Sequence, residues 1–266
     1  MKRVLCFFAI ALSVFMLCCC GNNSEKTNTA QRDQNGGNKT ITIYSLKDDT
    51  LCPILTDNEA NRQMLNIVYE PLVRLKNNME AEGVLATDWS VSPDGLVWTI
   101  TLRNGVKWHN GESFSAEDVI YTVNQIKSAQ TGAYIYNVSL ISDISGAGET
   151  VSISLAEPSP NFVNLLTFPI IKSEDDEIEK ESYTPLGTGP YVFSDKNEGN
   201  MYYLLKNEKW WGEEIKLEEI CVKLLPDSET VMYSFSGGVG ISATGVHVLP
   251  SHVALAVSAT TTALSP

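Results

Sequence analysis

The segment 97–119 constrains the fold more than any other part of this sequence. Residues 97–103 alternate between apolar and polar side chains, which is the period-two pattern of a half-buried strand. Asn104-Gly105 follows, and this pair favours a tight hairpin turn because both residues tolerate positive φ. We therefore predict that 106–108 returns as a second strand, with Trp98 and Trp108 in the core.

The next residues have the pattern of a helix start. Ser115 stands at the N-cap and Asp118 three positions later, a variant of the capping box. A second helix, capped by Asp57 or Asn58, is predicted to end near Glu70-Pro71. Alternation and turn residues predict further strands at 40–44, 151–155, 191–193, 202–205 and 220–224. Short connections between mixed elements predict an α/β or α+β domain with a mixed sheet.

The N-terminus has the pattern of a secretory leader. Two basic residues precede an apolar run over 4–17, too short for a spanning helix, which needs about 20 apolar residues. Leu17 stands three residues before Cys20, which resembles a bacterial lipobox. We predict a signal peptide at 1–19, lipidation of Cys20 and a flexible polar tether over 20–39. Cys19 is the alternative site of lipidation. The alternative to a lipoprotein signal is an ordinary signal peptide that is cleaved without lipidation.

Composition excludes several classes of function. The formal charge of −13 becomes −15 once Lys2 and Arg3 leave with the leader, which argues against binding to nucleic acid or to anionic lipid. No nucleophile elbow, His-Glu-x-x-His helix or phosphate loop occurs, so we predict no enzyme, no catalytic residue, no metal site and no cofactor. Beyond the lipobox only Cys52 and Cys221 remain, and their pairing is left open.

The C-terminal part departs from the rest of the sequence. No charged residue follows Glu229, although 19% of all residues are charged. After a helix capped by Asp227-Ser228, we predict that 239–266 is an aberrant, disordered tail, frameshifted or artificial in origin. A neutral strand-and-loop region is the alternative.

Several blocks of the chain resemble one family. They are Tyr69-Glu70-Pro71-Leu72, Leu85-Ala86-Thr87-Asp88-Trp89-Ser90, Val106-Lys107-Trp108-His109-Asn110-Gly111 and Gly187-Thr188-Gly189-Pro190-Tyr191. In this order they resemble the bacterial extracellular solute-binding proteins of the dipeptide, oligopeptide and nickel type, family 5. The resemblance covers about 40–238 and implies the first lobe of a type II periplasmic-binding-protein-like fold with an inserted subdomain. Family members are longer, so it also implies a truncated chain whose C-terminal lobe is missing.

The resemblance also implies a function. It is that of a monomeric peptide-binding component of an ABC importer, which captures dipeptides or oligopeptides outside the membrane and delivers them to permease subunits. The lipid anchor would hold the chain on the extracytoplasmic face of the cell membrane or in the periplasm. The alternatives are a nickel-chelate binder of the same family and a non-binding surface lipoprotein fragment without transport activity.

The family's ligand-contacting loop after the first strand maps to four residues. These are Thr56, Asp57, Asn58 and Glu59, and we expect them to bind ligand. Tyr134 and Tyr136 stand where family members place an aromatic residue near the ligand. The simpler alternatives are that Asp57 or Asn58 only caps a helix and that the two tyrosines only pack. Trp210-Trp211 is expected to pack, and Gly187 and Gly189 to serve a chain reversal.

Overall fold

Two larger sheets organise the described residues, and the second is inserted in the chain between strands of the first. The computed structural model describes residues 40–46, 50–129, 132–173, 183–196 and 199–226, and three short strands beyond them. The predicted leader, Cys20, the tether and the predicted helix after Asp227-Ser228 lie outside the described residues. Within the described part of the chain, no helix has the length and apolar character needed to cross a bilayer.

A five-stranded sheet joins the start of the described chain to its end. Its strands are β1 (Thr40–Leu46), β8 (Tyr191–Phe193), β9 (Met201–Lys206), β10 (Glu219–Leu225) and β11 (Ile241–Ser242), in the order β11-β1-β10-β9-β8. β1 runs parallel to both β10 and β11. β8 pairs antiparallel with β9, and the strands predicted at 191–193 and 202–205 are both present. Because parallel strands need a crossover connection, the chain between β1 and β10 forms the rest of the domain.

The inserted part contains a four-stranded antiparallel sheet. Its strands are β4 (Ala86–Val91), β5 (Val97–Leu102), β6 (Ile141–Ala147) and β7 (Thr150–Leu155), in the order β4-β5-β7-β6. In β5 alternate residues are buried, among them Trp98 and Ile100. Helix α2 (Ala116–Ser128) packs on this sheet with Val119, Val123 and Ile126 buried. The apolar face of the sheet, formed by every second residue of a strand, thus packs against the apolar face of the helix, which repeats every 3.6 residues.

The capping box of α2 is present. The backbone N–H of Ser115 donates to Asp118 Oδ2 at 2.9 Å. The same carboxylate accepts the indole N–H of Trp108 at 3.1 Å, and its second oxygen accepts the backbone N–H of Ser173 at 2.8 Å. Asp118 is buried, so it fastens the helix start to the segment that carries Trp108.

The predicted hairpin over 97–108 is wrong. β5 pairs with β4 and β7 on its two sides, and 106–108 forms no strand with it. Gly105 does adopt positive φ (78°), but the chain turns out of the sheet there, because the backbone N–H of Arg103 donates to the carbonyl of Leu85 instead. The expectation that Trp98 and Trp108 are core residues is confirmed, since they are 5% and 2% exposed.

The predicted end of the first helix is also wrong. Helix α1 (Glu59–Leu65) stops at Leu65 and does not reach Glu70-Pro71. The carbonyls of Ile67 and Val68 accept the backbone N–H groups of Tyr191 and Gly189 at 3.1 and 2.9 Å. The segment that follows α1 is thus hydrogen-bonded to the distant segment 189–191.

The remaining elements are short. β2 (Val73–Leu75) and β3 (Ala81–Gly83) form a hairpin, α3 (Ile135–Val138) and a 3₁₀ helix (Phe162–Leu165) follow, and β12 (Val246–Val248) pairs with β13 (Leu255–Val257). Strands β11, β12 and β13 fall within the segment predicted to be disordered. The rest of that segment lies outside the described residues, so the proposed boundary at 239 stays a prediction.

Candidate ligand-binding site

The loop after β1 is organised by hydrogen bonds to its own backbone. Thr56 is buried, and its hydroxyl oxygen accepts the backbone N–H of Asn58 at 3.2 Å. Asn58 caps α1, since its Oδ1 accepts the N–H groups of Ala60 and Asn61 at 2.9 and 3.3 Å. Asp57 between them is exposed. The capping alternative is therefore confirmed for Asn58, and its ligand role stays a prediction.

Glu59 and Arg62 form a charged pair on the first turns of α1. Arg62 Nη2 lies 2.6 Å from Glu59 Oε2, and Arg62 Nη1 donates to the carbonyl of Thr56 at 3.1 Å. Gln63 Nε2 donates to the other Glu59 oxygen at 3.1 Å. The hydrogen bonds from Gln63 and from Arg62 lower the pKa of Glu59. The carboxylate is thus oriented and ionised, while 65% of its side chain is exposed.

Tyr134 lies within electrostatic reach of this pair. Burial raises the pKa of its phenol, the positive charge of Arg62 opposes that rise and the negative charge of Glu59 adds to it. The segment before Tyr134 comes close to the loop that follows β1 at Gly132, where a Cβ would lie 2.9 Å from the Ile54 carbonyl oxygen. Only a residue without a side chain lets the two segments come this close.

Tyr136 is not held in the same way. Its side chain is 76% exposed, on the short helix α3. Its backbone carbonyl accepts the hydroxyl of Ser139 at 2.8 Å. The structure thus brings Thr56, Asp57, Asn58, Glu59 and Tyr134 to one region, and leaves Tyr136 open to solvent. Whether any of the six contacts a ligand stays a prediction.

Arg62 is the member of this region that the sequence reasoning missed. The signal was available, because Glu59 and Arg62 are three residues apart on a helix and side chains at that spacing are neighbours. The sequence could not predict the hydrogen bond from Arg62 to the Thr56 carbonyl, which joins the helix to the loop before it.

A second polar cluster, which we term the Glu70 junction, consists of Glu70, Thr188, Trp210 and Trp211. Glu70 is 5% exposed. One of its oxygens accepts the Thr188 hydroxyl and the Trp211 indole N–H, both at 2.9 Å, and the other accepts the Trp210 indole N–H at 3.2 Å. Burial raises the pKa of Glu70 to about 7 despite these donors. Three motifs far apart in sequence therefore meet on one carboxyl group, and the tryptophans do more than pack.

His109 holds the same glycine-rich segment from another side. Its Nδ1 accepts the backbone N–H of Gly187 at 3.3 Å, and Nε2 lies 3.0 Å from the carbonyl oxygen of Gly189, to which it donates in this arrangement. Burial lowers the pKa of the imidazole, because the cation would lose hydration. The ring is thus a neutral structural link.

The chain bends at 188–190, and Gly187 and Gly189 have a further role in packing against a neighbouring segment. Neither has a positive φ; both lie against the backbone of the segment after α1. A Cβ on Gly187 would stand 1.8 Å from the Val68 carbonyl oxygen, and one on Gly189 would stand 2.7 Å from it. Glycine is required here for close backbone approach.

Comparison with known proteins identifies the family. The family model described as "Bacterial extracellular solute-binding proteins, family 5 Middle" matches residues 80–247, more than half of the chain. This chain belongs to that family. The predicted resemblance and fold class are thereby confirmed, and the family consists of extracellular solute-binding proteins.

Individual relatives agree with the assignment. The nickel-binding periplasmic protein of Escherichia coli (strain K12) is 30% identical over 194 residues, which cover 70% of this chain and 37% of that protein. The dipeptide-binding protein DppE of Bacillus subtilis (strain 168) is 24% identical over 86% of this chain and 47% of its own length. NikZ from Campylobacter jejuni, solved in complex with Ni(L-His), superposes with a TM-score of 0.66 at 27% identity, covering 77% of this chain and 43% of NikZ. This family-5 chain therefore spans less than half the length of these relatives.

Proposed function

We propose that this family-5 chain is the peptide-binding component of an ABC importer. Support comes from relatives that include a dipeptide-binding protein and from one feature of the fold. That feature is the meeting of the loop 56–59 with Tyr134, two segments far apart in sequence that Gly132 brings together. An ionised carboxylate, a guanidinium and a phenol then lie in one region.

Each group has a role in the proposed recognition. The exposed Glu59 carboxylate accepts a charge-assisted hydrogen bond from the α-ammonium group of the peptide, and Arg62 keeps that carboxylate ionised and oriented. Tyr134 offers a ring face to the first side chain or to the peptide plane, at little entropic cost because its ring is already half-buried. Main-chain hydrogen bonds supply the affinity that is independent of peptide sequence. Asp57 and Tyr136, both exposed, line the approach.

The decisive test is peptide uptake by the cell that carries this gene, with substitutions made at its chromosomal position. We expect deletion to abolish uptake of a labelled tripeptide. Glu59→Gln should raise the KM of uptake about tenfold, the equivalent of about 1.4 kcal/mol, for peptides with a free amine. It should leave N-acetylated peptides unaffected. Glu80→Gln, at an exposed glutamate of the β2–β3 hairpin, is the matched control. Unchanged uptake in the deletion strain would refute the proposal.

A nickel complex is the second candidate substrate, favoured by the nickel-binding relative and by NikZ. The two candidates separate in one thermal-shift experiment on the 266-residue chain, with a tripeptide library in one arm and Ni(L-His) in the other. Stabilisation by Ni(L-His) alone would replace the peptide proposal with the nickel one.

The lipid anchor belongs to the same proposal. A leader over 1–19 and acylation of Cys20 would tether the domain to the extracytoplasmic face of the membrane, where a monomer delivers its ligand to permease subunits without a cofactor. Metabolic labelling with a fatty acid tests this step. Label should be lost in Cys20→Ala and kept in Cys19→Ala; the opposite result would move the acceptor to Cys19.

A further inference from the structure

Two arginines lie near the Glu70 junction, and one of them, Arg74, has a buried N–H group without a hydrogen-bond acceptor in the part of the chain that the structure describes. Arg74 lies on β2 with 25% of its side chain exposed, and its Nη1 atom is buried without a hydrogen-bond partner among the described residues. Its nearest carboxylate is that of Glu82, at a loose 3.9 Å from Nε. A buried guanidinium N–H without an acceptor is costly, by about 1–3 kcal/mol, so an acceptor is expected there.

Arg103 is the second member of the pair, and it is held firmly. Its Nε donates to the Val84 carbonyl at 2.8 Å, and its guanidinium lies 4.2 Å from the centre of the Trp211 ring. These two contacts use one N–H and one face of the guanidinium plane, and they fix its position. Arg74 pairs with Glu82 across the β2–β3 hairpin. Glu82 lies two residues before Val84, whose carbonyl accepts the Arg103 bond, so both arginines contact the segment 82–84. The charge of Arg103 contributes to lowering the pKa of Arg74, after the larger effect of burial.

The local balance of charge is positive on an otherwise acidic chain. Lys76 Nζ also lies 3.9 Å from Glu82, so one half-exposed carboxylate is shared by two cations. Glu70 also lies within electrostatic reach of Arg74, but its oxygens already accept three donors and its pKa of about 7 makes it a partial countercharge at neutral pH. Glu80, at the turn of the same hairpin, is exposed to solvent. A chain with 32 acidic and 19 basic residues thus concentrates cations at this place.

We propose that Arg74 and Arg103 form a binding site for a small oxyanion, either a phosphate or a carboxylate. The planar fork of a guanidinium matches two oxygens of such a group, and two guanidiniums facing one anion relieve their mutual repulsion. The anion provides the acceptor that Arg74 Nη1 lacks. The site uses none of the residues 56–59 or 134, so it is independent of the proposed peptide site.

Thermal unfolding of the full 266-residue chain tests the site. Inorganic phosphate and succinate are titrated in separate arms, and sodium chloride at matched ionic strength forms a third arm. We expect phosphate, succinate or both to raise the Tm by a few degrees at millimolar concentration, and chloride to leave it unchanged. The active arm identifies which oxyanion the site takes. Chloride reproducing the whole shift, or no shift in either arm, overturns the site.

Two variants assign the effect to Arg74. Arg74→Gln should abolish the anion-induced shift measured from its own ligand-free Tm, and Arg74→Lys, which keeps the charge but loses the fork, should retain only part of it. Lys127→Gln removes one exposed charge from α2 and should keep the full shift. A full shift in Arg74→Gln overturns the proposal, even if that variant is less stable without ligand.

Discussion

The buried carboxyl of Glu70 should make the stability of this domain fall as the pH rises through neutrality. Its pKa is raised from 4.5 to about 7, chiefly by burial. Between these two values the folded state holds a proton that the unfolded state has released, so raising the pH favours unfolding. The contribution is fully present below pH 4.5 and is lost as the pH passes 7. At 1.36 kcal/mol per pKa unit, the loss is about 3 kcal/mol.

Glu70→Gln removes the titration while keeping the side chain's shape. The amide oxygen can still accept an indole N–H, but the amide NH₂ faces a donor, so we expect the variant to be about 1–2 kcal/mol less stable than wild type at pH 5. By pH 8 the wild type has lost its proton, and the variant should then be about 1–2 kcal/mol more stable than wild type. The difference between the two therefore changes by about 3 kcal/mol across this range.

Urea denaturation of the two chains at pH 5, 6, 7 and 8 measures that difference. Subtracting the curves cancels the titration of every group they share. Glu80→Gln serves as the control, since that glutamate is exposed and its substitution should shift the curve by the same small amount at each pH. A difference between wild type and Glu70→Gln that stays constant within about 0.5 kcal/mol would falsify the reasoning.

Three further predictions concern the contacts that hold the motifs together. Gly187→Ala should prevent folding, because the added Cβ would have no room. Gly105→Ala has open space around the Cβ but a positive φ, so it should lower the free energy of unfolding by only about 1 kcal/mol. Circular dichroism distinguishes the unfolded variant from the folded one. The pKa of His109 is lowered in the folded state, so protonation favours the unfolded state and the free energy of unfolding falls below pH 6.5. His109→Gln should make that fall smaller. Urea titrations of both chains at pH 5 and 7 measure the difference. Asp118→Ala should lower the unfolding free energy by about 3–5 kcal/mol in the same urea assay, because it leaves three donors without their acceptor.

The local features of this fold were predictable because their causes are local. The capping relation of Ser115 and Asp118 depends on a spacing of three residues, and the alternation in β5 and β7 depends on which face of a strand each residue occupies. The six candidate ligand residues came from family resemblance. For Asn58 the helix-cap role was one of two readings open from the sequence, and the observed cap supports it.

The two wrong element boundaries both lie next to contacts that the local sequence pattern does not show. Helix α1 ends at Leu65, and beyond it the carbonyls of Ile67 and Val68 bond to a segment more than a hundred residues later. Asn104-Gly105 turns the chain as expected, but β5 finds its partners elsewhere in the sequence. At Asn104-Gly105 the backbone N–H of Arg103 bonds to Leu85 and not across the predicted turn, so the turn residues alone did not set the strand pairing.

The sequence by itself determined the family, the mixed fold, the core tryptophans Trp98 and Trp108, and the capped start of α2. Only the tertiary structure decided that Glu70 receives both indole N–H groups of Trp210-Trp211, from 140 and 141 residues away. It likewise brought the segment of Gly132 and Tyr134 against the loop that follows β1, through the close approach of Gly132 to Ile54. Periodicity and capping report which face of an element is apolar and where the element starts, whereas the partner of a buried polar group depends on which distant backbones can approach each other.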